Sequence, residues 1–523
     1  MLYKAIKDKH FHVAYMQFKS TMKNLLHPFL FAIFPVLFIF INNMDIIPAV
    51  DLILPLSIIL SATAGLLIII RIVLKKLSKS SLIVSLGIVL FFSYGHLYNL
   101  ISRSLLQFDI GHHRYLLIPF ITAFIIGTIY FVKTQRKLDN ANIIATSISI
   151  MLVLIVATNF VFVFQPTQSS VTNESLNIKQ ISEQLVKPDI YYIILDAYGD
   201  AYTLQKYFNY NNSEFVNFLE SKGFQASYPS FSNYPNTYLS LSSSLNMEYV
   251  HYLLNDDTKT FDTRLANDII NNNKVMQILK EKGYKIISFD SGWAPTRKLD
   301  IADLNLCGKN SFLDSEFLIS IVDASILKPI YVKFFDVNSR DRIQCILSQL
   351  PQIGTTIDEP IFVFAHLLLP HPPYMFGPNG EAITPKSLTL VSDTSTEEKG
   401  DYLNQLKFTN KKIHEIVDSI LSNSENPPVI IIQSDHGPPD SIFHYADQLE
   451  SNKDKLRNIN FYYLPTAENN IIYNGITPVN SFRIIIKNFL GEDLHLLEDR
   501  NYYIDDYDNS YKLIDITEEL NKK

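Results

Sequence analysis

Five long apolar runs occupy the first third of the chain and contrast with the mixed pattern of the remainder. They cover residues 25–42, 52–70, 81–101, 115–132 and 143–165. A helix that crosses a bilayer needs about 17–25 mostly apolar residues, and each run has about this length. Pro35 interrupts the first run, but a membrane-spanning helix tolerates a proline. The pattern therefore predicts a transmembrane domain of five helices over residues 1–165.

Positive residues alternate between the two sides of these predicted spans. The N-terminal segment contains Lys4, Lys7, Lys9, Lys19 and Lys23, the next connection contains none, and the one after it contains Arg71, Lys75, Lys76 and Lys79. Lysine and arginine favour the cytoplasmic side. The bias predicts a multi-pass membrane protein with a cytoplasmic N-terminus. Because the number of spans is odd, everything after residue 165 is expected outside the cytoplasm.

After a polar stretch, helical patterns alternate with short apolar runs. Residues 166–186 have no strong core pattern and indicate a linker with one amphipathic helix. The later runs YYIILD, YKIISFD, IFVFAHLLLP and VIIIQSD are typical of buried strands, and amphipathic segments such as SEFVNFLESKG lie between them. This alternation predicts an α/β domain over residues 187–523, with a mostly parallel central sheet and helices on both faces.

Charge and cysteine content exclude some functions. The net charge is −7, and no basic block appears in the second part of the chain, so nucleic-acid binding is not expected. Cys307 and Cys345 are the two cysteines, without the spacing of a zinc knuckle. A disulfide between them is one possibility, and two separate buried thiols are the more common outcome.

Polar residues with reactive side chains gather at predicted strand and helix ends. They are Asp196 after the first strand, Thr237 at a helix start, His366 and His371 in and after a later strand, and Asp435 and His436 after the last run. Singly, a strand-end aspartate is usually a turn former and a helix-start threonine is usually an N-cap. Together they predict a single site, because the carboxyl ends of parallel strands lie at one edge of a sheet.

The donor types suit one divalent metal ion. Carboxylates with an imidazole favour Zn²⁺ or Mn²⁺, with Mg²⁺ and Ca²⁺ also open, and the predicted ligands are Asp196, Thr237, Asp435 and His436. A metal lowers the pKa of a bound hydroxyl, so Thr237 is the predicted nucleophile. A helix N-terminus at this point favours a phosphate group. His371 or His366 is then expected to orient or protonate a reacting oxygen.

The segments KPDIYYIILDAYG, NYPNTYLSLSSSLN and IIIQSDHG, in this order, resemble the alkaline phosphatase/sulfatase superfamily. With five predicted spans the chain is similar to its membrane branch of lipoteichoic acid synthases and phosphoglycerol or phosphoethanolamine transferases. The resemblance implies that Thr237 becomes covalently modified. It also implies that Asp196 is the first acidic ligand, where those transferases have glutamate, and that Asp435 and His436 are the metal-binding pair.

A second implication concerns the substrate. In lipoteichoic acid synthases an aspartate, a tryptophan, an arginine and a histidine bind the glycerophosphate group. Asp290, Trp293 and Arg297 of FDSGWAPTR offer similar groups with different spacing, and His371 or His366 supplies the histidine. Core packing is the alternative role for Trp293, which is the only tryptophan in the sequence.

The resemblance implies a transferase that moves a phospho-head-group from a membrane lipid donor to a glycan or glycolipid acceptor. Sulfatases of the formylglycine type need Cys or Ser in a [CS]-x-P-x-R motif, whereas WAPTR has Trp293 at the reactive position. One alternative is a hydrolase of phosphate or sulfate esters. The other is a membrane-anchored regulatory protein with a degenerate site. The sequence leaves the head group, the acceptor and the oligomeric state open.

Overall fold

The computed structural model describes residues 25–42, 49–104, 113–163, 187–255, 260–308, 316–383, 396–439, 448–465, 471–505 and 512–522. The predicted linker therefore lies outside the described residues. The chain forms two compact units. The helical unit comprises Met1–Asn173 and Ser311–Val332, and the α/β unit comprises Glu174–Asn310 and Lys333–Lys523.

The helices and strands follow in chain order. They are α1 (Leu25–Ile41), α2 (Ile53–Leu74), α3 (Leu77–Ser104), α4 (His113–Lys133), α5 (Asp139–Val163), β1 (Ile190–Leu195), α6 (Ala201–Phe208), α7 (Ser213–Ser221), β2 (Gln225–Ala226), α8 (Thr237–Asn246), β3 (Leu254–Asn255), β4 (Thr260–Phe261), α9 (Thr263–Asn271), α10 (Lys274–Glu281), β5 (Lys285–Phe289), α11 (Ala294–Arg297), β6 (Leu304–Leu306), α12 (Glu316–Asp323), α13 (Lys328–Gln349), β7 (Ile361–Leu367), α14 (Thr396–Asn423), β8 (Val429–Gln433), α15 (Gln448–Leu456), β9 (Asn460–Tyr463), α16 (Pro478–Leu490), β10 (Tyr502–Asp505), β11 (Lys512–Asp515) and α17 (Thr517–Asn521).

Among the described residues, four helices of the helical unit are long and apolar enough to cross a membrane. Their candidate spans are Val50–Leu74, Leu77–Tyr98, Leu116–Lys133 and Asp139–Thr158. Helix α1 is apolar but shorter in the described part of the chain, and it continues through Pro35. The predicted membrane-domain architecture is confirmed, whereas the count of five spans and the orientation stay predictions.

A seven-stranded sheet forms the centre of the α/β unit. Its strand order is β2-β9-β8-β1-β7-β5-β6. The five strands from β8 to β6 are parallel, and β9 and β2 add antiparallel pairs at one edge. The mostly parallel sheet is confirmed. The continuous apolar runs of β1, β7 and β8 reflect this position, because strands covered on both faces have no solvent side.

Side chains of β1 alternate between two hydrophobic cores. Tyr191, Ile193 and Leu195 pack with residues of α7, α13 and α14 on one face. Ile190, Tyr192 and Ile194 pack with residues of α8, α10 and α16 on the other. This follows from the period of two along a strand, and it confirms helices on both faces.

Cys307 and Cys345 form a disulfide. The two Cα atoms lie 5.7 Å apart, which is within the usual range for a disulfide. The expectation of two separate buried thiols is therefore wrong. The pairing depends on tertiary structure, because Cys307 follows β6 and Cys345 lies in α13.

Candidate active site

The carboxyl ends of β1, β7 and β8 bring three predicted site residues together. Asp196 follows β1, His366 lies near the end of β7, and Asp435 comes two residues after β8. Ile194 of β1 is in register with His366 on one side and with Gln433 on the other. Asp196, His366 and Asp435 are buried, and each offers a ligand atom within 4.8 Å of the other two.

Three buried atoms of this group point to a cation. Asp196 Oδ1, His366 Nε2 and Asp435 Oδ2 have no hydrogen-bond partner among the described residues. Leaving such atoms unpaired costs about 1–3 kcal/mol each, and more for charged groups. Two carboxylates and an imidazole are suitable ligands for a divalent metal ion of the zinc or manganese type. The residues present therefore fit a divalent metal site.

The two carboxyl groups have opposite pKa shifts. Burial disfavours the charged form of Asp196, but the charge of His371 and the proximity of His366 and His436 hold its pKa below the ordinary value. Burial and then the charge of Asp196 raise the pKa of Asp435. Without a cation the pair therefore favours retention of a proton on Asp435. A bound divalent ion favours ionisation of both groups.

Thr237 is the first residue of α8 and not its N-cap. Asn236 is the cap, because its side chain accepts a hydrogen bond from the Leu239 N–H at 2.9 Å. The half-buried Thr237 hydroxyl is thereby left for another partner, and its Oγ1 lies 3.2 Å from His436 Nε2. Ordinary capping therefore does not explain Thr237.

His436 presents Nε2 to the site because its other nitrogen is engaged. Nδ1 lies 2.7 Å from the Gly437 carbonyl oxygen, which only accepts hydrogen bonds. In the neutral ring the proton therefore resides on Nδ1, and Nε2 carries the lone pair. This Nε2 is also 3.3 Å from Asp435 Oδ2 and 3.8 Å from Asp196 Oδ1. All four predicted metal ligands therefore lie together.

The two candidate acid–base histidines differ in position. His366 belongs to the buried group, with Nε2 3.3 Å from Asp196 Oδ2. His371 is half-buried, and its backbone N–H donates to the Asp196 carbonyl oxygen at 3.2 Å. His371 Nδ1 lies 2.5 Å from the Pro372 carbonyl oxygen, so its Nε2 carries the lone pair in the neutral ring. His366 thus belongs to the buried group and His371 does not, and the acid–base role of either histidine stays a prediction.

The predicted substrate-binding residues adjoin the site to different degrees. The Trp293 ring packs edge-on against Tyr238 at 4.6 Å and against His366 at 5.7 Å between ring centroids. Asp290 lies 3.5 Å from Arg342 Nε, and Arg297 Nη2 donates to the Gly292 carbonyl oxygen. Trp293 therefore borders the metal group, and substrate binding by the three residues stays a prediction.

Sequence reasoning missed residues that hold the site in place. Thr296 Oγ1 lies 2.9 Å from His366 Nδ1, which orients the ring so that Nε2 faces the carboxylates. Beneath α8, the Tyr192 hydroxyl donates to Gln433 Oε1 at 2.7 Å and lies 3.2 Å from Ser244 Oγ. Tyr192 and Gln433 are polar positions within the apolar runs of β1 and β8, and they were the sequence feature that could have indicated this second contact.

The fold and the site define an α/β protein with a candidate metal site at the carboxyl edge of a mostly parallel sheet. Within that class, the model of the sulfatase family matches residues 188–458, which is more than half of the 523 residues, and the chain belongs to this family. The comparison with curated proteins found no match.

Three solved structures are similar to parts of the chain. The C-terminal periplasmic domain of EptC from Escherichia coli is 12% identical, with a TM-score of 0.40, over 63% of this chain and 92% of that one. The integral membrane lipooligosaccharide phosphoethanolamine transferase EptA from Neisseria meningitidis is 11% identical, with a TM-score of 0.37, over 89% and 93%. The lipoteichoic acid synthase LtaP from Listeria monocytogenes is 14% identical, with a TM-score of 0.35, over 61% and 78%.

Proposed function

We propose that this protein is a membrane-bound, metal-dependent transferase. It moves a phospho-head-group of the phosphoglycerol or phosphoethanolamine type from a lipid donor to a glycan or glycolipid of the cell envelope. The observation that carries the proposal is the Thr237 hydroxyl at the start of α8, 3.2 Å from His436 Nε2 and beside the buried carboxylates. The apolar helices support a lipid donor, since they keep the site near the membrane.

Five side chains would hold the metal ion. They are Asp196, Asp435 and His436 with Thr237, as the sequence predicts, and His366 as an addition. Bound there, a divalent ion lowers the pKa of the Thr237 hydroxyl and offsets negative charge on the transferred phosphoryl group.

The first half-reaction forms a phospho-threonine. Thr237 Oγ1 passes its proton to solvent water and attacks the donor phosphorus, and the bond from phosphorus to the glycerol oxygen of diacylglycerol breaks. His371 protonates the departing oxygen. The N-terminus of α8 favours the phosphate, because this end of a helix dipole carries partial positive charge. Diacylglycerol then leaves with the proton from His371.

The second half-reaction transfers the group to the acceptor. His371, now neutral, takes the proton from an acceptor hydroxyl, and that oxygen attacks the phosphorus of phospho-Thr237. The Thr237–phosphorus bond breaks, and Thr237 takes a proton back from solvent water, while His371 keeps the acceptor proton for the next cycle. The Trp293 ring, which borders Tyr238 and His366, forms one wall for the head group. With water in place of the acceptor the same site is a hydrolase.

Intact-protein mass spectrometry tests this proposal. The full chain is reconstituted with Mn²⁺ or Zn²⁺ in mixed bacterial phospholipids, without acceptor, beside Thr237→Ala. Thr263→Ala is the matched control, because Thr263 is likewise the first residue of a capped helix, α9, after the Asp262 cap. A head-group mass gain is expected on the wild type and on Thr263→Ala and not on Thr237→Ala, and the added mass identifies the donor.

The other outcomes separate the alternatives. Release of inorganic phosphate or sulfate from ester substrates, without a lipid-derived adduct, supports the hydrolase. Absence of an adduct, of product and of stoichiometric metal supports the regulatory protein with a degenerate site. An equal adduct on Thr237→Ala rules out Thr237 as the nucleophile.

A further inference from the structure

A short part of the chain interrupts the α/β unit in sequence and belongs to the helical unit. Residues 311–332 group with the helical unit, whereas the residues before and after them group with the α/β unit. The chain therefore passes between the two units three times, after residues 173, 310 and 332. We call its described part, residues 316–328, the anchor segment; it contains α12 and the first residue of α13.

Apolar side chains of the anchor segment lie in the core of the helical unit. Phe317, Ile321 and Ala324 are buried in the same cluster as Phe40 of α1 and Phe92 of α3. The rings of Phe40 and Phe317 meet edge to face, with centroids 5.9 Å apart. The spacing of Phe317 and Ile321 puts both on one face of α12, so this face is directed at α1 and α3.

Backbone groups of α3 and the anchor segment bond directly to each other. The Gly95 N–H donates to the Ala324 carbonyl at 3.1 Å, and the Ile326 N–H donates to the Phe91 carbonyl at 2.9 Å. In a regular α-helix the N–H of Gly95 would bond to the carbonyl of Phe91, four residues earlier. Here both groups bond to backbone of the anchor segment. Non-helical backbone is tolerated at membrane depth only where protein satisfies its polar groups, and these two bonds satisfy the turn after α12.

Gly95 is the residue that permits this approach. A Cβ atom at Gly95 would lie 1.9 Å from the Asp323 carbonyl oxygen and 2.7 Å from backbone carbon of Ala324. Because these are backbone atoms, no side-chain rotation relieves the clash. Gly65 in α2 is a useful comparison, since a Cβ there meets nothing within 4 Å.

Asp323 and Lys328 of the anchor segment pair with each other. Lys328 Nζ lies 2.7 Å from Asp323 Oδ1, and both side chains are largely buried. The same Nζ lies 5.2 Å from the Tyr98 ring centroid, at the end of the candidate span Leu77–Tyr98. Pairing lowers the cost of placing both charges beside the apolar region.

The contacts also agree with the direction of the predicted spans. The anchor segment touches the C-terminal parts of α1 and α3. If each of the five helices crosses once, α1, α3 and α5 run in the same direction, so their C-terminal ends share one side of the membrane. That is the side on which the chain leaves α5 for the α/β unit. The anchor segment therefore enters from the expected side.

We propose that the anchor segment is a second membrane attachment of the α/β unit. It is seated on α1 and α3 in the leaflet where α3 ends, and it holds independently of the 166–186 linker. The disulfide supports this role, because Cys307 and Cys345 join the chain just before and just after the segment. The anchor segment of the same chain therefore covers the apolar surface that α1 and α3 form.

Cleavage of the linker in native membranes tests the proposal. A site for a sequence-specific protease is inserted between Ser170 and Val171 of the full chain, and the membranes are cut and sedimented. The C-terminal fragment is expected to stay in the pellet, to resist high salt and to leave only with detergent, because the attachment is apolar. A wild-type fragment in the supernatant after cleavage would overturn the proposal.

Gly95→Ala and Gly65→Ala form the matched pair of variants. Gly95→Ala is expected to shift the fragment toward the supernatant by roughly tenfold or more, because loss of two backbone hydrogen bonds and of packing costs more than about 1.4 kcal/mol. Gly65→Ala should behave as wild type. Equal retention of both variants would contradict the assigned contact.

A second pair of substitutions guards against misfolding of the helical unit. Phe317→Ser with Ile321→Ser leaves α1 to α5 unchanged and removes the apolar face of α12, so the fragment is expected in the supernatant. The released fragment must remain resistant to limited proteolysis, which shows that the α/β unit is folded. Retention of this double variant in the pellet would refute the proposal. Retention does not depend on catalysis, so failure here leaves the proposed transferase untouched.

Discussion

The histidines and aspartates of the site differ in which atoms carry protons. The carbonyl oxygens beside His436 and His371 place a proton on Nδ1 of each neutral ring, and Thr296 is placed to do the same for His366. In the neutral rings, the Nε2 lone pairs of His436, His371 and His366 therefore point away from the backbone. Because Asp196 is held ionised while Asp435 favours a proton, the site before metal binding carries less negative charge than its two carboxylates suggest.

Metal binding is expected to weaken as the pH falls. The pKa of Asp435 is raised by burial and by Asp196, so a proton competes for this ligand at a pH where an ordinary aspartate is ionised. Affinity should therefore rise with pH through the raised pKa of Asp435 and level off above it. Asp196, whose pKa is lowered, adds competition only under more acidic conditions.

Calorimetric titration with Zn²⁺ or Mn²⁺ across pH, in two buffers of different ionisation enthalpy, measures this effect. Proton release should accompany binding on the acidic side and disappear on the alkaline side. The Asp435→Asn variant has no carboxyl proton at this position, so it should bind more weakly and lose this part of the pH dependence. An affinity of the wild type that is flat over the acidic range would contradict the assignment.

Among the secondary-structure elements, α8 depends on a buried polar contact with the sheet. Tyr192 of β1 joins Ser244 of α8 to Gln433 of β8, and Gln433 precedes Asp435 by two residues. Gln433 Nε2 continues the contact by donating to Asn460 Oδ1 and Ser481 Oγ. The same side chains therefore fix the position of α8, which carries Thr237, relative to β8, which precedes Asp435.

Tyr192→Phe is expected to reduce activity as well as stability. It leaves buried Gln433 Oε1 without its donor, which costs about 1–3 kcal/mol, and it frees α8 to shift relative to β8. Tyr191→Phe is the matched control, because the neighbouring tyrosine points to the opposite face of the sheet. Thermal unfolding and head-group transfer are measured on both variants. Equal transfer rates at equal metal occupancy would show that the contact serves stability alone.

The elements predicted from sequence are those whose burial makes a continuous signal. β1, β7 and β8 are apolar on both faces, so their strands and strand-end residues could be located from the pattern alone. β2 has two residues and β9 begins at Asn460, so neither has a readable period. Asn236 and Thr237 are both suitable caps, and only the Leu239 hydrogen bond distinguishes them.

Partners set by tertiary structure could not be inferred in the same way. Thr296 contacts His366 across 70 positions of sequence. Helix α12 has eight residues, which is too short to give the signal of a span, so its sequence favours an ordinary amphipathic helix. Its place in the helical unit depends on Gly95, where the sequence shows only a glycine within an apolar run.

For the whole molecule, the disulfide is the covalent tie with the largest expected effect. It closes a sequence separation of 38 residues, for which chain entropy gives a stabilisation of roughly 4 kcal/mol, with a typical range of about 2–4 kcal/mol. Disulfides persist in oxidising compartments, which agrees with the predicted extracytoplasmic side of the α/β unit.

Replacement of Cys307 and Cys345 by serine should therefore lower the stability of the α/β unit by about 2–4 kcal/mol. The expected readout is a lower midpoint of thermal unfolding at fixed metal concentration. Wild-type protein unfolded under reducing conditions should match the double variant. Thiol labelling of wild type in intact cells should find both cysteines blocked, and rapid labelling of both would place them in a reducing compartment.

The three passages of the chain between units impose an order on biosynthesis. Helices α1 to α5 are made first, but the core that they share with Phe317 and Ile321 is incomplete until the anchor segment has been synthesised. During that interval the end of α3 exposes an apolar surface together with Phe91 and Gly95. The five helices therefore lack part of their packing until a segment made much later in the chain reaches them.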